Sequence, residues 1–306
     1  MEYAVRTKGL GKTYGKFTAL SDFSMNIPKG SIYGFVGKNG AGKTTLIRLL
    51  TGLQKPTAGE FEIFGIRGDS REIRKSRMRM GAVVESPAIY MGMTALDNLK
   101  QQYITMGLPS YEGIEELLKL VGLENTGKKK ARNFSLGMKQ RLGIAIALCG
   151  DPDFLILDEP INGLDPQGII EIRELILKLN REKGITILIS SHILDELSRL
   201  ATHYGFIDRG HLIREMSAEE LEAASRKSVR MTVDDTKVLA GIMDELGIEY
   251  KILDDQKADV YSELTFSELA ARFAEKKCNI IKMEEHDESL EAFYLALVGG
   301  NSACTD

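Results

Sequence analysis

The sequence predicts an α/β fold with a parallel sheet at its centre, and three observations support this. Short β-rich segments alternate with amphipathic helical stretches between Gly30 and about Glu215. Their apolar residues are nearly continuous, as in strands that helices cover on both faces. After Met216 the pattern changes to shorter strands and helices, which predicts a separate small α+β domain. The central strand segments are SIYGFVG, MRMGAVVE, DFLILDEP and ITILISSH.

Two flanking regions complete the large domain. The stretch from Tyr3 to Pro28 predicts an antiparallel β layer, with a turn in GKTYGKF. Residues between Thr94 and Leu148 have mostly helical apolar spacing and precede the strand DFLILDEP, so they predict a helical insertion. We therefore expect a first domain at 1–215, with the helical subdomain at about 94–148.

The remainder of the chain predicts a linker and a second domain. MSAEELEAASRK has a helical pattern and supports a linker at 216–228. Residues 229–306 then show strand, helix, two strands, helix and strand, a split βαβ order, and end in the helical segment DESLEAFYLALV. No cluster of chemically reactive residues is recognisable in this second domain.

Composition argues against a nucleic-acid-binding protein. The 306 residues carry 40 lysines and arginines against 44 acidic residues, a net charge of −4. Basic runs at 71–79 and 128–132 contain no interleaved aromatic residues, so solvated surfaces explain them better than a nucleic-acid groove. No nucleic acid is expected as a partner.

Cysteine usage and hydropathy predict where the protein acts. Three cysteines, Cys149, Cys278 and Cys304, form neither a disulfide framework nor a paired metal-ligand spacing, which indicates a reducing compartment. The N-terminus lacks the pattern of a secretory signal, and no apolar run approaches the roughly 18 residues that a membrane span needs. Any membrane association is expected to come through a partner.

The strongest motif is a glycine-rich loop between a strand and a helix. Gly37 to Thr44 fits the G-x-x-x-x-G-K-[ST] pattern, whose backbone amides cradle phosphate oxygens. Lys43 is expected to reach the β- and γ-phosphates, and Thr44 to ligate Mg²⁺. A plain glycine-rich turn is the weaker alternative. The predicted nucleotide-binding residues of the loop are Gly37, Asn39, Gly40, Ala41, Gly42, Lys43, Thr44 and Thr45.

Two adjacent carboxylates follow the buried segment Phe154 to Leu157. A parallel strand would deliver Asp158 and Glu159 to the carboxyl edge of the sheet, where the glycine-rich loop also lies. Asp158 could hold Mg²⁺ through water, and Glu159 could polarise an attacking water. Helix capping or pairing with surface lysines remains the alternative for these acids. With the loop, the carboxylates predict a phosphate-loop NTPase core.

Further motifs decide which kind of NTPase this is. Over roughly residues 1 to 220 the sequence resembles the ABC ATPase family, with matching pieces in the family's order. These pieces are Tyr14, the phosphate loop, Glu85 in AVVESP, the signature-like FSLGMKQRL, the DFLILDEP strand, Gly163-Leu164-Asp165, and His192 after ITILISS.

The resemblance implies a role for each matching residue. Tyr14 would stack on adenine, with a packed or exposed turn tyrosine as the alternative. His192 would contact the γ-phosphate or the attacking water, so Lys43, Glu159 and His192 are the predicted catalytic residues; a hydrogen-bonded structural histidine is the alternative. Ser135 and Gly137 would open a helix and grip the γ-phosphate held by a second subunit, with a serine that only caps the helix as the alternative. Asp165 would lie at that subunit interface or cap a helix.

Two departures from the family pattern stand out. Glu85 replaces the usual glutamine, and Leu136 and Met138 alter the signature. A glutamate can still ligate Mg²⁺ through oxygen, so the predicted metal ligands are Thr44, Glu85 and Asp158. It also brings negative charge close to the triphosphate. The alternative is that Glu85 simply ends a strand.

The expected function follows from these motifs. Glu85 in its ESP context and the tail segment ESLEAFYLAL resemble the ABC branch that exports bacitracin and lantibiotics. We therefore expect an ATPase that uses ATP and Mg²⁺ and dimerises with an identical or related chain. From the cytoplasmic face it would energise a separate membrane permease that exports a peptide antibiotic or a similar amphipathic compound. A soluble ABC ATPase that acts on nucleic acid or ribosomes is the alternative, although the chain has one ATPase half and no long coil. A kinase or GTPase is disfavoured because no guanine-specific Asn-Lys-x-Asp element is present.

Overall fold

The computed structural model describes residues 2–224, 227–261, 266–287 and 290–300. The first two residues of the predicted tail segment, Glu288 and Ser289, and the third cysteine, Cys304, lie outside these ranges. The chain divides into two compact units, Met1–Ala218 and Glu219–Asp306, and each is treated separately below.

Unit 1 contains two sheets and seven α-helices among the described residues. Its strands are β1 (Tyr3–Tyr14), β2 (Phe17–Phe23), β3 (Asn26–Pro28), β4 (Ile32–Val36), β5 (Ala58–Ile63), β6 (Ile66–Arg67), β7 (Met80–Val83), β8 (Phe154–Asp158), β9 (Thr186–Ser191), β10 (His203–Asp208) and β11 (His211–Ser217). Its helices are α1 (Lys43–Leu50), α2 (Ile73–Arg77), α3 (Ala95–Met106), α4 (Ile114–Leu120), α5 (Leu136–Leu148), α6 (Pro166–Lys183) and α7 (Leu194–Ser198).

The central sheet has six strands in the order β11-β10-β4-β9-β8-β7. All neighbours are parallel except β11, which pairs antiparallel with β10. All residues of β4, β8 and β9 are buried, which explains why their sequences are apolar almost throughout. The predicted parallel sheet, with its four strand segments, is confirmed.

The predicted antiparallel layer is also confirmed. Strands β2, β1, β5 and β6 form a second sheet in that order, and β3 also pairs with β1. Helix α1 contributes to a hydrophobic core shared by strands of both sheets, so the phosphate-loop helix is anchored by packing. Members of this core include Leu10, Phe23, Phe35, Leu46, Ile47, Phe154 and Leu188.

The helical insertion lies between β7 and β8. Thr94 starts α3 with a reciprocal cap in which its side chain accepts from the Asp97 amide and the Asp97 carboxylate accepts from the Thr94 amide. Helix α5 lies directly against β7, because a Cβ added at Gly81 would come within 2.0 Å of the Ala147 carbonyl oxygen. The insertion is therefore closely joined to an edge strand of the central sheet.

Unit 2 contains four strands and three helices within the described ranges, and α8 (Ala218–Ala224) begins at the unit boundary. These elements are β12 (Lys227–Val233), α9 (Thr236–Leu246), β13 (Tyr250–Ile252), β14 (Lys257–Val260), α10 (Phe266–Glu275), β15 (Ile280–Asp287) and α11 (Leu290–Gly300). The sheet order β13-β14-β12-β15 corresponds to the predicted split βαβ arrangement. An α+β fold follows.

Hydropathy along the described helices gives one further result. None of them is both long enough and apolar enough to cross a lipid bilayer.

Candidate active site

The glycine-rich loop connects the buried strand β4 to α1. Gly40 and Gly42 have φ angles of 82° and 115°, which glycine adopts without steric cost. Gly37 is needed for space, because a Cβ there would lie 2.5 Å from Ile207 Cγ2. Gly42 precedes α1 and supplies no side-chain cap, so amides of the first helical turn stay available to an anion. The loop therefore has the geometry of a phosphate cradle.

The remaining loop residues divide into exposed and buried positions. Asn39 is exposed, Ala41 is buried and Thr45 is half-buried. The Ala41 amide donates to the Lys38 carbonyl at 3.1 Å, and the Ala41 carbonyl accepts from the Gly210 amide at 2.9 Å. These backbone bonds fix the loop at its middle and leave its outer rim open to a ligand.

Lys43 is the most enclosed cation of the site. Its side chain is only 6% exposed, and its amine donates to the carbonyl oxygens of Gly37 and Lys38. The same amine lies 3.4 Å from Glu159 Oε1. Three oxygen atoms thus hold a buried positive charge in the phosphate loop.

Asp158 and Glu159 reach this loop from the end of β8. Asp158 is 2% exposed, and its Oδ2 accepts a hydrogen bond from the Thr44 hydroxyl at 3.1 Å. Glu159 has a φ of 51°, a left-handed conformation uncommon for a residue with a side chain. Its Oε2 lies 2.7 Å from His192 Nδ1. Lys43, Thr44, Asp158, Glu159 and His192 therefore form one connected cluster at the carboxyl edge of the sheet.

Ser190 belongs to this cluster and was missed by sequence reasoning. Its buried hydroxyl donates to Asp158 Oδ1 at 2.5 Å and accepts from the Glu159 amide at 3.1 Å. The Ser190 carbonyl accepts from the same amide at 3.1 Å. A polar residue at the end of an apolar strand, just before His192, was the available signal.

The described contacts of Tyr14 and Glu85 are with residues outside this cluster. The Tyr14 ring is 39% exposed at the end of β1, with its hydroxyl donating to Gln54 and the Lys12 amine 5.1 Å from its centroid. Glu85 follows the end of β7 and forms an ion pair with Arg48 of α1. Its side chain is 58% exposed. The Glu85 carboxylate thus pairs with Arg48, one helical turn after Thr44 on α1.

The signature segment starts a helix, as predicted. Ser135 caps α5, and its hydroxyl accepts from the Met138 amide at 3.2 Å. A Cβ at Gly137 would be 3.8 Å from Leu164 Cδ2, which places this turn beside the segment that leads into α6. Asp165 caps α6 by accepting from the Gly168 amide at 3.0 Å, in agreement with the capping alternative. Its place at a subunit interface stays a prediction.

Comparisons with known proteins identify the family. Residues 20–162 match the ABC transporter family. The chain is 41% identical to the bacitracin transport ATP-binding protein BcrA of Bacillus licheniformis, over 99% of both chains. It is 47% identical to the lantibiotic transport ATP-binding protein SrtF of Streptococcus pyogenes, over 69% of this chain and 90% of that protein.

This chain belongs to the ABC transporter ATP-binding proteins. Solved cassettes of this family match the fold. The cbiO1 protein of Clostridium perfringens, part of the ABC transporter complex cbiONQ, has a TM-score of 0.66 and 29% identity over 81% of this chain and 97% of that one. The cassette MJ0796, a dimer bound to ADP and phosphate in a post-hydrolysis state, has a TM-score of 0.63 and 29% identity over 70% and 98%.

Family membership confirms several predictions. The chain is an ATP-hydrolysing ABC cassette that binds ATP. The expected resemblance to the bacitracin and lantibiotic branch is confirmed, and the nucleic-acid alternative has no support. ATP-binding subunits of this family act with membrane permease components, and dimerisation is general among them.

Proposed function

We propose that this chain energises a peptide-antibiotic exporter by hydrolysing ATP at the cluster of Lys43, Thr44, Asp158, Glu159 and His192. The observation that carries the proposal is the meeting of a buried lysine and two carboxylates at one phosphate loop. In this proposal Lys43 and the first amides of α1 bind the phosphates. Tyr14 offers an exposed ring on which adenine can stack.

In this proposal Glu159 acts on the attacking water. One carboxylate oxygen faces Lys43 and the other faces His192, so the carboxylate is oriented from both sides. In hydrolysis, the water oxygen bonds to the γ-phosphorus while the bond to the bridging oxygen of ADP breaks. Glu159 accepts the water proton or orients the water, and His192 holds Glu159 in position.

Thr44 and Asp158 would hold Mg²⁺. Their contact atoms are a hydroxyl and a carboxylate, the oxygen donors that Mg²⁺ prefers, and the 3.1 Å hydrogen bond keeps them together. When bound, Mg²⁺ supplies positive charge beside the β- and γ-phosphates. The part of Glu85 as a further ligand stays a prediction, because its carboxylate is paired with Arg48 here.

The proposed assembly contains two ATPase chains and a membrane permease at the cytoplasmic face. In it, Ser135 and Gly137 at the start of α5 would face the phosphate loop of the second chain. The substrate class is taken from BcrA and SrtF, whose names specify bacitracin and lantibiotic transport. Whether the second ATPase chain is identical or related is left to the experiment below.

Glu159→Gln tests the ATPase mechanism. Because the amide cannot take the water proton, ATP turnover of the purified full chain should fall by about 10²-fold or more, while ATP binding is retained. Glu182→Gln, an exposed change on α6, is the matched control and should keep its turnover. Normal turnover in Glu159→Gln would refute the assigned role.

Gene deletion in the host tests the transport role. Loss of this chain should raise sensitivity to bacitracin or a lantibiotic, and the wild-type gene but not Glu159→Gln should restore resistance. A membrane permease should co-purify with the tagged chain, and mass spectrometry should show whether one or two kinds of ATPase chain are present. Unchanged sensitivity to both classes of peptide would refute the proposed substrate.

A further inference from the structure

A short segment after β7 connects two functional helices of unit 1. At its first residue, Glu85 forms an ion pair with Arg48, which lies four residues after Thr44 on α1. The two side chains are 58% and 35% exposed, so solvent reaches the pair. An exposed pair of this kind is weak and can break and re-form.

The backbone of this segment is held in an uncommon conformation. Glu85 has a φ of 60°, in the left-handed region that residues with side chains rarely adopt. The Ser86 amide donates to the Val84 carbonyl at 2.7 Å and closes a tight turn around Glu85. A left-handed residue persists where surrounding contacts hold it, and Arg48 supplies such a contact.

The other end of the segment contacts the helix that Ser135 caps. A Cβ at Gly143 of α5 would lie 2.5 Å from Pro87 Cβ and 2.8 Å from Pro87 Cγ. Pro87 therefore lies against the bare backbone of α5. Glu85, Ser86 and Pro87 thus bridge α1, which follows the phosphate loop, and α5, which begins with the signature.

We propose that Arg48 is a positioning residue that holds the Glu85–Pro87 segment between α1 and α5. The proposal rests on the function proposed above, since its readout is ATP turnover. Arg48 does not touch the reacting atoms; it fixes Glu85, and Pro87 transmits that position to α5. The same pair neutralises the charge that the unusual glutamate introduces beside α1.

The positioning role and simple charge balance give different results. If Arg48 positions the segment, removing either charge frees the same turn, so Arg48→Met and Glu85→Gln both lower kcat. If the two groups only adjust the local potential, Arg48→Met raises KM for ATP and Glu85→Gln lowers it, with kcat little changed.

A double-mutant cycle on the full chain with Mg-ATP tests the proposal. Each single variant should lower kcat by about two- to fivefold, the size expected from an exposed ion pair. The kcat of the double variant Arg48→Met with Glu85→Gln should be no lower than that of one single variant. The exchanged pair, Arg48→Glu with Glu85→Arg, should have a higher kcat than either of its single changes. The exposed pair of Lys75 on α2 and Glu72 just before it is the control, and its matching variants should leave kcat unchanged.

Two outcomes overturn the inference without affecting the proposed function. Losses that multiply in the double variant, or opposite shifts of KM with constant kcat, would show that Arg48 does not position Glu85. The proposed function fails separately, if the wild-type chain does not hydrolyse ATP or if Glu159→Gln does.

Gly143→Ala probes the far end of the segment. Alanine favours a helix over glycine by roughly 1 kcal/mol, so lost activity would not come from a weaker helix. The added methyl must displace Pro87, and kcat should fall about tenfold with helix content retained. Gly241→Ala on α9 is the control, because a Cβ there meets no atom within 4 Å. A wild-type kcat in the Gly143→Ala variant would refute a role for the contact between Pro87 and α5. If this variant does not fold, the double-mutant cycle on Arg48 and Glu85 tests the proposal.

Discussion

The carboxyl edge of the central sheet in unit 1 and the interior of unit 2 are built on different principles. At the edge, the charged residues Lys43 and Asp158 are 6% and 2% exposed, and Glu159 adopts a left-handed backbone conformation. The described core of unit 2 is a cluster of apolar side chains. Its members include Met231, Val233, Leu239, Ile242, Leu269 and Phe273.

The two regions therefore depend on different kinds of interaction. Buried charges are costly unless each has partners, so the edge depends on specific hydrogen bonds at fixed distances. An apolar core depends on volume and shape and tolerates conservative exchange. Unit 2 also has a buried carboxylate, Asp259, which is 7% exposed and pairs with Arg230 at 2.7 Å. Substitutions should therefore affect stability in unit 2 and chemistry at the edge.

The largest stability effect is expected from Phe273→Ala. Phe273 is 1% exposed in the core of unit 2, and its truncation leaves a cavity that should lower the free energy of unfolding of this unit by about 3–5 kcal/mol. Hydrogen exchange should show the loss of protection in β12 and β14. Arg272→Ala, an exposed change on the same helix, should have little effect. Equal loss of protection in β8 would contradict the comparison, because the two units would then unfold together.

At the edge of the sheet, the Ser190→Ala substitution should reduce ATPase activity, although it changes the side-chain volume very little. The substitution removes the donor to Asp158 Oδ1 and one of two acceptors for the Glu159 amide. We expect kcat to fall about tenfold, equivalent to ~1.4 kcal/mol, with a smaller change in the free energy of unfolding. Ser191→Ala is the matched control, since that buried hydroxyl contacts Ile193 and not the carboxylates. An equal loss of activity in both variants would argue against a specific role for Ser190.

Much of the fold was predictable because its signals are local. The buried strands β4, β8 and β9 appear as apolar runs, and the phosphate loop requires glycine where φ is positive or space is short. Because parallel strands end at one edge, the convergence of Lys43, Asp158 and Glu159 could also be predicted. The succession of strand and helix segments in unit 2 likewise predicted its order of elements.

Pairwise contacts between distant segments were not predictable from one sequence. Ser190 is 32 residues from Asp158, and its position at the end of an apolar strand does not by itself mark its hydroxyl as a partner of Asp158. Arg48 and Glu85 are 37 residues apart, and the charge of Glu85 was evident while its neutralisation was not. Such contacts depend on the register of β9 beside β8 and on the path of the chain after β7, which the packed structure fixes.

The smallest effect concerns a carboxylate of unit 1 outside the proposed site. Glu215 Oε1 on β11 accepts from the Tyr33 hydroxyl at 2.7 Å and from the Asn26 amide at 2.8 Å. Burial raises the pKa of Glu215 above its ordinary value, although these hydrogen bonds oppose the shift. Glu215 therefore tests whether a half-buried acid in this fold can have a purely structural role.

Glu215→Gln should change how stability depends on pH. Because the folded pKa is raised, the folded chain binds more protons than the unfolded chain, and wild-type stability falls as pH rises through that pKa. Glutamine keeps an acceptor for Tyr33 and does not titrate, so the variant should gain relative to wild type between about pH 5 and pH 8, by on the order of 1 kcal/mol. Denaturant unfolding at both pH values measures this gain, with the exposed Glu174→Gln as control. A stability gain that is greater at the lower pH would contradict the predicted direction of the pH dependence. A loss of kcat would place Glu215 among the residues that support catalysis.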